Sequence, residues 1–107
     1  MKKRLVELAL YSSLCLSVLA TTTSLQAAEA TVVERYSKTC VVCHAAGAAG
    51  APKTGDAKQW ASRMGKGMEA LVISVDKGMN AMPPKGMCFD CSAEEFKALI
   101  EYMATAQ

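Results

Sequence analysis

The clearest periodicity lies near the C-terminal end of the chain. Phe96, Leu99, Ile100 and Met103 recur at helical spacing with polar residues between them, and Ser92 and Glu95 just before them have capping-box spacing. A second apolar stripe, Met68, Leu71, Val72 and Val75, predicts a helix starting near Gly67, with Gly78 as its natural stop. A third helix begins near Asp56, with Gln59 three residues on, and carries Trp60 and Met64. The pattern from about Val32 to His44 predicts a fourth. Thr31 and Glu34 stand at capping-box spacing, and Val33, Tyr36, Cys40 and Cys43 fall on one face. No stretch alternates as a strand does, so the chain reads as all-α. Residues 45–55, rich in Ala and Gly around Pro52, read in isolation as a flexible linker. Residues 79–91 form a loop that Pro83 and Pro84 stiffen and keep from continuing the preceding helix.

The N-terminal thirty residues do not belong to this pattern. Lys2, Lys3 and Arg4 precede an apolar stretch from about Leu8 to Ala20, and Ala28-Glu29-Ala30 is a cleavage candidate, with a cut after Ala27 as a comparable option. This is the layout of a signal peptide over 1–30, leaving a domain over 31–107. The apolar stretch is shorter than the ~20 residues a spanning helix needs, so a retained anchor is the lesser reading. Cys15 follows Leu14 rather than the small residue that a lipid-anchoring cysteine requires, so it is discarded with the signal. The four remaining cysteines form two Cys-x-x-Cys pairs, Cys40/Cys43 and Cys88/Cys91. Removing Lys2, Lys3 and Arg4 from the twelve basic residues, and Glu7 and Glu29 from the ten acidic ones, leaves nine against eight. That balance, dispersed along the chain, argues against nucleic acid as a partner. A domain this small buries only about 60% of its unfolded surface, so a staple or a cofactor is expected.

Both requirements meet in Cys40-Val41-Val42-Cys43-His44. Two thiols three residues apart on a helical turn can add across the two vinyl groups of a haem, and a histidine directly after them lies beneath the iron. Two other chemistries use the same residues. Cys40, Cys43, Cys88 and Cys91 are enough for a four-cysteine zinc site, and a Cys-x-x-Cys pair can exchange thiols in a βαβ setting. The export signal and the placement of the protein's one histidine, His44, favour haem. The second axial ligand is less constrained. Met64, Met68 and Met103 lie on predicted helices, leaving Met79, Met82 and Met87 on or beside the stiff loop. Of these, Met82 precedes Pro83-Pro84, which would fix the backbone where a thioether must point at a metal.

Cys-Val-Val-Cys-His, Gly50-Ala51-Pro52-Lys53 and Ala81-Met82-Pro83-Pro84-Lys85-Gly86 together resemble a class I cytochrome c. Cys88-Phe89-Asp90-Cys91-Ser92 makes the resemblance specifically one to the cytochrome c5 type. The resemblance implies about four helices wrapped around one covalently bound haem c, with the first and last crossing. It implies thioether bonds from Cys40 and Cys43, His44 and Met82 as axial ligands, and the Pro52 carbonyl as acceptor for the His44 Nδ1–H. Trp60 and Arg63 match positions near the haem and its propionates, against a plain core Trp and surface Arg. Cys88 and Cys91 match a disulfide. The function implied is a high-potential one-electron carrier, not an enzyme, in a bacterial periplasmic respiratory chain. It would be served by redox proteins such as a quinol-oxidising complex as donor and a terminal oxidase or reductase as acceptor, without stable membrane insertion. Lys53 and Lys85 read as ordinary solvated lysines rather than as a docking rim. A haem enzyme or sensor with a labile Met82 is the alternative, and a four-cysteine zinc module a more distant one.

Overall fold

The computed structural model describes residues 26–107, so the expected signal segment, with Cys15, falls outside them except for residues 26–30. Two units are distinguished, residues 1–31 and 32–107. In the first, residues 26–31 are helical, and the Thr31 hydroxyl donates to the Ala27 carbonyl at 2.9 Å. Thr31 is therefore not the helix N-cap expected from its spacing to Glu34, because the chain before it supplies further helical residues. Among the described residues, no helix is long and apolar enough to cross a membrane.

The second unit is helical and, among the described residues, has no strand beyond one isolated bridge. It opens with α1 over 32–38, followed after a turn by α2, Val41–His44. The single helix expected from Val32 to His44 is thus broken at Thr39 and Cys40. The buried face also begins one position earlier than expected. Val32, Tyr36 and Cys40 pack against the core, whereas Val33 is 42% exposed. Helix α3 spans Ala57–Met64, and the Asp56 side chain caps it by accepting from the Gln59 N–H. Helix α4 spans Met68–Lys77 and ends at Gly78 (φ 79°). Helix α5 spans Ala93–Thr105 and carries the complete capping box of Ser92 and Glu95.

Helix α5 is the centre of the fold. Its stripe Phe96, Leu99, Ile100 and Met103 is buried, together with Trp60 of α3, Val72 of α4 and the pair Cys88/Cys91. Met64, Met68, Leu71 and Val75 pack around this core half-buried. Helix α1 meets α5 where the rings of Tyr36 and Tyr102 lie 5.1 Å apart and tilted by 60°. Lys97 of α5 reaches Glu69 of α4 at 3.3 Å.

Residues 45–55 depart from the linker expected of them. A short 3-10 turn forms over Ala48–Gly50, and both ends of the segment are tied down. The Thr54 N–H donates to the His44 carbonyl at 2.7 Å, and the Gly55 N–H donates to the Met103 carbonyl at 2.8 Å. Both bonds depend on how the chain folds back, onto His44 and onto α5, which is why composition alone suggests flexibility. The stiff loop likewise contains a 3-10 turn, Pro84–Met87, with proline at its first position, where no N–H is needed.

Candidate haem site

The short helix α2 presents His44 inward, 6% exposed. Its Nδ1 lies 2.8 Å from the Pro52 carbonyl oxygen. A carbonyl can only accept, so Nδ1 carries the proton and Nε2 is left with a free lone pair. The segment that supplies this carbonyl is held by several hydrogen bonds. The Lys53 N–H donates to Gln59 Oε1 (3.1 Å), Trp60 Nε1–H donates to the Lys53 carbonyl (3.0 Å), and the Tyr36 hydroxyl bonds Thr54 Oγ1 (3.0 Å). The Trp60 ring lies along the imidazole, with centroids 6.0 Å apart and planes 25° from parallel. Trp60 is thus a buried wall beside His44 whose one donor is occupied by protein backbone. Arg63 donates to the Gln59 carbonyl at 2.7 Å and lines the site half-buried.

Two clefts, of about 140 and 430 Å³, share His44, Pro52, Arg63, Met79 and Met82 in their walls. Leu71, Val75, Ile100 and Met103 make the larger one mainly apolar. The larger volume falls within the range of small-molecule and cofactor sites. Met82 enters from the stiff loop, whose backbone leaves it little freedom. Its N–H donates to the Met79 carbonyl (2.9 Å) and its carbonyl accepts from the Met79 N–H (3.0 Å), with Asn80 at φ 53° in the tight turn between them. Lys85 and Met87 also adopt positive φ, 60° and 69°. Left-handed non-glycine residues cost about 1–2 kcal/mol each, so three of them within eight residues mark backbone held against its preference. Met87 is 56% exposed and lines neither cleft, whereas Met79 and Met82 line both.

The thiols of Cys40 and Cys43 are free and half-buried. Burial pushes the Cys40 thiol up, partly offset by hydrogen bonds from Thr39 and the Cys40 backbone. Among the described residues, the cluster with metal-ligand spacing is Cys88, Asp90 and Cys91, which neither Cys40 nor Cys43 joins. The four-cysteine zinc site is therefore not assembled. The groups that are assembled suit haem: two free thiols three residues apart, an imidazole with Nε2 free, a thioether in the same cleft walls and an apolar lining.

Cys88 and Cys91 are both buried, with Cα atoms 5.4 Å apart, a normal separation for a disulfide. Arg35 of α1 pairs with Asp90 between them at 2.6 Å and with Glu95 of the α5 capping box at 3.1 Å. Nothing in the sequence signalled this clasp, because its partners lie more than fifty residues apart. The Arg35 hydrogen bond holds Asp90 below the usual carboxylate range, and the Ser92 backbone N–H does so for Glu95. Groups with lowered folded values contribute stability above about pH 4 and lose it as pH falls through those values. We expect the urea midpoint to fall between about pH 5 and pH 3, and Arg35→Met to flatten that part of the profile. The contribution is small, because the carboxylates are solvated. Lys85, by contrast, is not simply solvated. It pairs with Asp76 of α4 at 2.8 Å and lies 5.5 Å over the Phe96 ring, fastening the Met82 loop to two helices.

The family profile described as cytochrome C oxidase, cbb3-type, subunit III matches residues 27–103. The cytochrome c5 of Ectopseudomonas mendocina is 44% identical over 69 residues, which are 63% of this chain and 79% of that one. The chain belongs to the class I c-type cytochromes, of the c5 type. Among solved structures, a mono-haem ferrocytochrome c from Shewanella putrefaciens is 50% identical, with a TM-score of 0.64 over 71% of this chain and 94% of that one. A chain from an electron-transfer complex of nitrite reductase with cytochrome c is 42% identical, with a TM-score of 0.62 over 66% and 86%. As a cytochrome of this type, the protein carries one covalently bound haem c.

Proposed function

We propose that this cytochrome is a high-potential one-electron carrier, exported to a bacterial periplasm after cleavage of residues 1–30, with 31–107 as the mature domain. Cys40 and Cys43 would hold the haem through thioether bonds, and His44 Nε2 and the Met82 thioether would be the ligands to its iron. The observation that carries this reading is that His44 and Met82 line the same clefts, each on backbone fixed by hydrogen bonds. The bound haem supplies a ferric/ferrous couple. The chain's part is to occupy both axial positions, leaving none for a substrate, and to keep them occupied in both oxidation states. Thioether ligation and an apolar lining both favour the ferrous state and raise the potential. Arg63 lies beside the clefts and, among the described residues, forms no ion pair, which suits it to a propionate. Trp60 contributes a wall, since its donor already serves Lys53. Cys88 and Cys91 form a disulfide that joins the ligand loop to α5. The partners are redox proteins of a respiratory chain, such as a quinol-oxidising complex as donor and an oxidase or reductase as acceptor. The related complex of a cytochrome c with nitrite reductase supports a partner of this class.

The competing reading is a haem enzyme or gas sensor in which Met82 leaves the iron readily. Carbon monoxide added to the reduced holoprotein at neutral pH separates the two. The carrier should keep the sharp α-band of a six-coordinate c-type haem and bind no gas, whereas ready binding would overturn the proposal.

A further inference from the structure

The peptide unit between Pro52 and Lys53 is hydrogen-bonded at both edges. Its carbonyl accepts from His44 Nδ1 at 2.8 Å, and its N–H donates to Gln59 Oε1 at 3.1 Å. The peptide is planar and trans, so the two bonds point in opposite directions across one conjugated unit. Gln59 is itself held in place. Its amide NH2 donates to Asp56 Oδ2 at 2.8 Å, and its backbone N–H donates to Asp56 Oδ1 at 3.0 Å, which fixes Oε1 toward Lys53. The result is a chain of aligned dipoles running Asp56, Gln59, peptide 52–53, His44.

We propose that Gln59 is a positioning residue that tunes the haem potential through this peptide. The inference rests on His44 being an axial ligand. Hydrogen bonds in series polarise one another. An acceptor on the Lys53 N–H shifts electron density toward the Pro52 carbonyl oxygen, which then draws more strongly on the Nδ1–H. A more strongly bound Nδ1–H makes Nε2 a better donor and favours the ferric state. Gln59 thus lowers the potential, opposing the effect of the thioether. In the sequence it is visible only as a helix-capping partner, because its second bond depends on how loop 45–55 returns to α3.

The test is a redox titration of the Gln59→Leu and Gln59→Glu holoproteins, with proton NMR of the reduced form. Loss of the acceptor should raise the reduced-to-oxidised ratio at fixed ambient potential by about twofold, given 10–30% strengthening per linked bond. The His44 Nδ1–H and Lys53 amide resonances should move together, while the signals of the Met82 methyl stay in place. Gln59→Glu is made together with Asp56→Asn, so that an amide still faces the side chain whose other oxygen accepts from the Lys53 N–H, and this variant should hold the ratio at or below the parent value. An unchanged ratio in Gln59→Leu with an intact spectrum would sink the inference, as would a changed ratio with the Nδ1–H unmoved. Failure of the ligand assignment itself reads differently: the His44 ring protons of the reduced parent protein would then lack the large upfield shift that a haem ring current gives to an imidazole bound to its iron.

Discussion

Met82→Ala should abolish the far-red sulfur-to-iron charge-transfer band of the ferric protein and open the reduced iron to carbon monoxide. The potential should fall by a sizeable part of the roughly 0.8 V that axial ligands span. The effect is large because the residue's backbone is pinned by two hydrogen bonds to Met79, so no small shift of the loop restores a thioether at the same point. Met79 is the informative control, since it lines both clefts and is 48% exposed. Met79→Ala should keep the band. If Met82→Ala keeps it and Met79→Ala loses it, the ligand is Met79. Absorption spectra of the two oxidised variants decide the matter.

Gly78→Ala should destabilise the protein by on the order of 3 kcal/mol, the combined effect of a glycine-only backbone conformation and of overpacking. Gly78 sits at φ 79° and ψ 159°. A Cβ there would lie 2.8 Å from the Met82 carbonyl oxygen, 2.9 Å from the Pro84 nitrogen and 3.1 Å from the Pro83 carbonyl carbon. All three are backbone atoms of the ligand loop, so no side-chain rotation relieves the contact. The loop itself must move, carrying Met82 with it. Chemical denaturation of the holoprotein measures the loss, and a weakened sulfur-to-iron band should accompany it. Gly67→Ala provides the comparison: φ there is 89°, but a Cβ would meet nothing within 4 Å. The difference between the two variants isolates the part due to packing against the loop.

These sites also show which features were legible in the sequence. The Ser92–Glu95 box, the Asp56 cap and the stop at Gly78 depend on neighbours within a few residues, and each formed where its spacing indicated. The stripes of α4 and α5 were readable for the same reason. Helix α1 departs from the pattern in two ways: the chain turns at Thr39 and Cys40, and Val32 rather than Val33 faces the core, since both valines fit a helical stripe with Tyr36 and only the packing chooses between them. The attachment motif was conspicuous as a local pattern. The devices that support it were not, because they depend on how the chain folds back on itself: Thr54 and Gly55 binding back to His44 and Met103, Arg35 reaching Asp90, and Gln59 gripping the Pro52–Lys53 peptide. Proline content singled out Met82 among three loop methionines, yet the turn that pairs it with Met79 depends on a left-handed Asn80 that no residue pattern announced.

The tether from Gly55 to Met103 has a consequence in time. Gly55 gives its N–H to the last turns of α5, and a Cβ on it would lie 2.6 Å from the Ala106 carbonyl oxygen, so loop and terminus fit closely. The Gly55 amide should therefore exchange with solvent only as often as the last turns of α5 open. The Thr54 amide, held by the His44 carbonyl, does not depend on α5 and should keep its own, separate exchange rate. Comparing the two rates measures how often the far end of α5 lets go of the loop.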